Sequence, residues 1–200
     1  MRKPVVAASA VRSIKALSRE RMVVDLAAAT AFAALTAVGA RLQFHLPFTP
    51  VPVTGQVFCV LLAGAVLGAR LGFVSQVEYL AAGAAGLPVF AHGGGFAALL
   101  GPTGGYLVGF PLAAAVVGAV ADRARSRSTT LTYLACLSGV AVIYTFGAAW
   151  YAVWVAVTTG AASLPIILAQ SVFPFALVDA AKAALAGAAA PGLRRRLSAN

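Results

Sequence analysis

The sequence predicts an all-α, polytopic membrane protein with six transmembrane helices, and three observations carry that prediction. Of its 200 residues 61% are hydrophobic and only 10% charged, and the mean hydropathy is +0.92. So few polar side chains cannot clothe a water-soluble domain of this length. The charges that exist gather at the ends of long apolar runs rather than along them. Between the third and fourth runs lies Gly86–Gly105, whose glycines and prolines cannot sustain a helix, so it is expected as an outer Gly/Pro-rich non-helical loop. Near lipid, backbone that leaves the helix must find protein or water partners, so this loop is read as the wall or lid of a small-molecule site.

Residues 1–21 form a basic leader, expected as a partly ordered cytoplasmic tail. The first apolar run, about Met22–Gln43, exceeds the roughly 7–15 residues of a secretory h-region. That favours a retained helix over a signal peptide cleaved after Val38-Gly39-Ala40. Ala29, Ala33 and Ala37 recur on it at helical spacing and permit close approach of another helix. Pro47, Pro50 and Pro52 then force extended or turn backbone.

The second helix, about Thr54–Ala69, is short for a span of about 20 residues. Arg70-Leu71-Gly72 is predicted to turn tightly into a third helix over about Leu71–Leu87. The fourth helix is expected over about Thr103–Ala121, the fifth over about Leu131–Val157 and the sixth over about Pro165–Ala189. Pro191-Gly192 is predicted to end the last helix. The expected organisation is a leader (1–21), one six-helix substrate-binding domain (22–190) and a basic cytoplasmic tail (191–200).

Six crossings put both termini on one side. With that side cytoplasmic, thirteen of the fifteen Lys and Arg lie inside, leaving Arg41 outside and Lys182 within the membrane. This is the positive-inside bias of a plasma-membrane protein, and it explains a net charge of +10 without nucleic acid. Both the Pro-rich and the Gly-rich loops then face outward.

Asp179 and Lys182 are three residues apart within an apolar run, so they share a helix face. An intramembrane charge costs at least about 2.5–3.5 kcal/mol, which favours a paired, inward-facing arrangement. The pair is either a structural ion pair or a clamp in which Asp179 accepts N–H groups and Lys182 donates to ligand oxygens. Glu78 is a second intramembrane acid, either structural or paired with Lys182. His92, beside Gly93 and Gly94, is either solvated or a ligand contact. Thr54 and Gln56 either cap the second helix or face the same cavity. Tyr106, Tyr144, Trp150, Tyr151 and Trp154 fit interfacial anchors, with Tyr106 also a candidate for the pocket. Cys59 and Cys136 read as small buried hydrophobes.

Catalytic arrangements are missing from the sequence. There is no nucleotide-binding Gly-x-x-x-x-Gly-Lys-Ser/Thr loop, no His-Glu-x-x-His and no metal-ligand spacing. The chain is not expected to be an enzyme or to need a cofactor, and if it pumps, a partner must supply the energy.

Four ordered motifs carry a resemblance. They are Phe48-Thr49-Pro50-Val51-Pro52-Val53-Thr54-Gly55-Gln56, then Leu61-Leu62-Ala63-Gly64 with Gly68-Ala69-Arg70-Leu71-Gly72, then Gly86-Leu87-Pro88-Val89-Phe90-Ala91, then Leu100-Gly101-Pro102-Thr103-Gly104-Gly105-Tyr106. With Pro174 and the Asp179…Lys182 spacing, the sequence closely resembles the BioY family, biotin-binding S components of energy-coupling factor (ECF) transporters, over about Leu26–Ala189. The resemblance implies a six-helix subunit that captures biotin from outside, partnered by a transmembrane coupling protein and two ABC-type ATPases. It implies that Asp179 and Lys182 are polar contacts to biotin and that the Gly-rich stretch with His92 forms part of the pocket. It also implies that the small residues of the first helix meet the coupling protein. Glu78 departs from the family pattern. An S component for another vitamin and an ATP-independent secondary transporter remain the alternatives.

Overall fold

A computed structural model describes residues 4–123, 128–160 and 163–198, with side chains over 19–123, 128–160 and 163–197. Its helices are α1 (Pro4–Arg41), α2 (Gln56–Ala84), α3 (Gly104–Arg123), α4 (Thr129–Thr159), α5 (Leu164–Ser171) and α6 (Phe173–Ser198). A short 3-10 helix occupies Phe96–Leu100. Among the described residues, five helical segments are long and apolar enough to cross a membrane: Arg19–Arg41, Gln56–Ala84, Gly104–Arg123, Thr129–Thr159 and Leu164–Leu197.

The expected second and third helices are the two arms of α2. The helix breaks at Gly68 (φ 80°, ψ 178°), a conformation essentially open only to glycine. The arms then run back along each other: a methyl at Gly72 would stand 2.9 Å from Gly64 Cα, and Gln56 Nε2 reaches Tyr79 Oη at 2.6 Å. In a straight helix the 23 residues between Gln56 and Tyr79 would span about 35 Å. The reversal therefore sits at Gly68 and not at the predicted Arg70-Leu71-Gly72. Gly72 instead provides the close packing between the arms.

Three helix ends also differ from expectation. The backbone of α1 is helical from Pro4, continuous with the first apolar run, because Ala, Arg, Lys and Leu are strong helix formers. At the other terminus α6 runs through Pro191 to Ser198. A proline removes one intrahelical hydrogen bond, and the surrounding alanines, leucines and arginines carry the helix past it.

The predicted sixth helix, by contrast, is divided at Val172 (φ −129°, ψ −60°) into α5 and α6. Pro174 has no N–H for the Gln170 carbonyl, and Phe175 N bonds Val172 O at 3.1 Å instead of reaching back to Ser171. Both abandoned carbonyls are satisfied from elsewhere. Thr49 Oγ1 donates to Gln170 O at 2.7 Å, and Tyr106 Oη donates to Ser171 O at 2.5 Å. This is how a broken helix survives in a lipid environment. It also ties the Pro-rich loop and α3 to the start of α6.

The Pro-rich segment forms a small hairpin in which β1 (Gln43–Phe44) pairs antiparallel with β2 (Val53–Thr54). Its return limb buries Val51 and Val53 in the core that α2, α3, α4 and α6 share.

Candidate functional site

The N-terminal end of α2, with α3, α4 and α6, surrounds a cavity holding about 640 Å³ of atom-free space, including the solvent at its mouth. The hairpin's return limb and residues 90–92 of the Gly-rich segment close one end of it. Thr54, Gln56, His92, Tyr106, Asp179 and Lys182, separate in sequence, all line this one space. Gly93 and Gly94 do not line it; Gly93 closes the turn that presents His92, and Gly94 follows it.

At the base of the polar wall, Lys182 Nζ donates to Asp179 Oδ1 at 2.7 Å, and Tyr144 Oη donates to Asp179 Oδ2 at 2.8 Å. Asp179 is 3% exposed, and the Lys182 side chain keeps 15% exposure. An ammonium has three donors and a carboxylate about four acceptor positions, so each partner retains capacity for a ligand. Most of the remaining lining is apolar, made by residues such as Val57, Phe110, Ile143 and Phe175. Such a site suits a compact, mostly apolar molecule bearing N–H, carbonyl or carboxylate groups.

The roof is held by hydrogen bonds to the bundle. Phe90 N bonds Gly93 O at 2.8 Å and Gly93 N bonds Phe90 O at 3.1 Å, closing a turn that needs the positive φ (108°) of Gly93. Tyr79, itself bonded by Gln56, donates to Val89 O at 3.1 Å. Gln43 Nε2 donates to Ala91 O at 2.9 Å, and Gly95 N to Gly83 O at 2.7 Å. The His92 ring lies 5.5 Å from that of His45 in the hairpin loop. Desolvation first, and then His45, lower the His92 pKa below its ordinary value.

Several sequence expectations change. Tyr106, Tyr144 and Tyr151 point inward, with their hydroxyls on Ser171 O, Asp179 and Gln170, so they are internal struts and not interfacial anchors. Glu78 accepts from Thr30 Oγ1 at 2.9 Å and does not pair with Lys182, whose partner is Asp179. Ala29 is fully buried and Ala33 is 8% exposed, with Ala37 partly buried against the core, so this small-residue face makes its close helix contact within the chain. Ala27, Ala31 and Ala34 are the exposed ones. Tyr144 is the main site residue that sequence reasoning missed, since nothing local links it to a residue 35 positions later.

The chain matches the BioY family over residues 9–199. It belongs to that family. A probable biotin transporter BioY of Pyrococcus horikoshii is 45% identical over 156 residues, covering 78% of this chain and 86% of that protein. The biotin transporter BioY of Thermotoga maritima is 46% identical over 118 residues, covering 58% of this chain and 67% of its own length. Among solved structures, the S-component for biotin from an ECF-type ABC transporter, a crystal structure at 2.1 Å, superposes with a TM-score of 0.77 at 26% identity, covering 88% of this chain and 93% of that one.

Proposed function

We propose that this BioY-family chain is a multi-pass plasma-membrane S component that captures biotin and passes it inward. The observation that carries this reading is the Asp179–Lys182–Tyr144 group set in an otherwise apolar cavity. Biotin has the complementary parts: a ureido group with donors and an acceptor, an apolar bicycle and a carboxylate tail. In this reading Asp179 accepts ureido N–H groups, and the free donors of Lys182 take an oxygen. Gln56, Thr54, Tyr106 and the His92 turn complete the enclosure.

In the same reading the two arms of α2 each cross the membrane, giving six crossings with both termini cytoplasmic. Arg21 at the start of the apolar span of α1, Arg70 beside the α2 reversal, and Arg123 and Arg194 near the ends of α3 and α6 lie on the side opposite Arg41 and the roof, consistent with a cytoplasmic base and an outward-opening cavity. No nucleotide-binding motif occurs in the sequence, and in this reading a coupling membrane protein and two ABC-type ATPases, the partners that the family resemblance implies, supply the energy. The exposed Ala27, Ala31 and Ala34 of α1 are the small residues left for the coupling protein.

Titration calorimetry of the purified protein against biotin, thiamine and riboflavin tests the ligand. Tight, exclusive binding of biotin is expected. Binding of biotin only at micromolar concentration or weaker, or equal binding of another vitamin, overturns the assignment. A proton-driven secondary transporter has less support, because Glu78 lies outside the residues lining the cavity and bonds Thr30.

A further inference from the structure

A second concavity lies at the end of the molecule opposite the roof. It is a groove of about 1470 Å³ of atom-free space, open solvent included, between the membrane entry of α1, the reversal of α2 and the ends of α3 and α6. Arg21, Arg70 and Arg194 rim it, opposed only by Asp25 and Asp122. Asp122 is taken by Arg194 in an ion pair. Among the described residues neither Arg21 nor Arg70 has a salt-bridge partner, and both are exposed. The groove is therefore cationic where it meets water. Toward the helices it is walled by Leu26, Leu67 and Val74.

We propose that this groove binds an anionic phospholipid, with the headgroup phosphate between Arg21 and Arg70 and an acyl chain along the leucine and valine wall. Guanidinium groups in a fork geometry suit a phosphate diester, and basic pockets between membrane helices are fitted to such headgroups. The geometry also gives the lipid a structural consequence. Arg21 comes from α1 and Arg70 from the start of the second arm of α2, so one phosphate would bridge the two helices beside the Gly68 reversal. A protein partner bearing an acidic segment is the competing occupant. The lipid is favoured because charge and apolar wall lie side by side at the ends of lipid-embedded helices.

The test uses the full chain, purified and delipidated in a neutral detergent. Dioleoylphosphatidylglycerol, dioleoylphosphatidylcholine and inorganic phosphate are each titrated, with thermal midpoint and retained lipid as readouts. Phosphatidylglycerol alone should raise the midpoint. The Arg21→Gln/Arg70→Gln variant should bind it about thirtyfold more weakly, as expected for the loss of two basic side chains at a membrane surface. Arg70→Lys keeps the charge and should retain most of the effect. Circular dichroism checks that the variants fold, and biotin calorimetry reports the upper cavity separately. Equal stabilisation by phosphatidylcholine, an equal effect of inorganic phosphate, or unchanged lipid retention in the double variant each overturns the proposal. Unchanged retention together with lost ATP-driven uptake would assign the groove to a protein partner instead.

Discussion

The C-terminal helix α6 makes two acid–base contacts of opposite character. Lys182–Asp179 lies between helix turns inside the cavity, with the Asp179 side chain 4% exposed. Arg194–Asp122 joins the ends of α6 and α3, with side chains 39% and 41% exposed. Both are close contacts between a basic nitrogen and a carboxylate oxygen, yet water competes for only one of them. In the cavity each charge has lost its hydration and depends on its few partners, whereas at the rim solvent screens the pair and replaces either member cheaply. Position, and not the ion pair as such, is what makes the inner pair the candidate for ligand binding.

The sharpest way to break this comparison is to remove one inner partner. Asp179→Asn and Lys182→Ala should each weaken biotin binding by more than about tenfold, because losing one member of a desolvated, hydrogen-bonded charge pair costs ~2–5 kcal/mol. Both proteins should remain folded by circular dichroism. Unchanged calorimetric affinity in both would make the pair structural. Tyr144→Phe removes only the hydroxyl that fixes Asp179 Oδ2 and should cost about three- to tenfold in affinity, within the ~0.5–1.5 kcal/mol net worth of an ordinary hydrogen bond.

The next effect belongs to stability and not to binding. Gly68→Ala places a side chain in backbone geometry that costs about 1–3 kcal/mol, and its Cβ would meet Asp122 Oδ2 at 3.0 Å. The variant should melt earlier in detergent while its biotin affinity, once folded, stays near that of the parent. A large affinity loss without a stability loss would mean that the reversal and the cavity are coupled.

The roof adds a pH dependence. Because the His92 pKa is lowered in the folded chain, the folded state favours neutral His92. Its contribution is complete above the ordinary histidine value of about 6.5, and is lost as pH falls through the lowered value. Protection factors across residues 85–95, corrected for the intrinsic pH dependence of amide exchange, should therefore fall on acidification, and less so in His92→Gln. Equal loss of protection in both would assign the sensitivity elsewhere.

The two pairs were unequally legible in the sequence. Asp179 and Lys182 stand out because charges three apart inside an apolar run have few explanations. Their partner Tyr144 does not, since a tyrosine in a membrane helix fits an interface anchor until the tertiary packing aims it. The prolines divided in the same way. The sequence reading runs the sixth helix through Pro174 and ends it at Pro191, yet only the first divides a helix, at carbonyls that Thr49 and Tyr106 take up from distant segments. What sequence conveys is where a hydrogen bond must be missing, and only packing decides whether something replaces it. Ala29 and Ala33 make the same point: their spacing indicates a close helix contact, and the fold supplies that contact within the chain.

The outer pair gives the smallest effect and the most discriminating one. Asp122→Asn leaves the Arg194 guanidinium free to take water, so the loss in stability should stay within ~1 kcal/mol, as for other exposed pairs. It should shrink further as salt rises from 0.05 to 0.5 M, roughly tenfold in ionic strength, since such charges are screened over about 10 Å or less at 0.1 M and above. The same acid-to-amide change at Asp179 should be insensitive to salt, because bulk ions do not reach a side chain enclosed by α4 and α6. Thermal midpoints of the two variants across that salt range compare one chemical edit in two environments. Parallel salt responses would mean that the cavity is wetter than its burial implies, and the distinction between the pairs would fall.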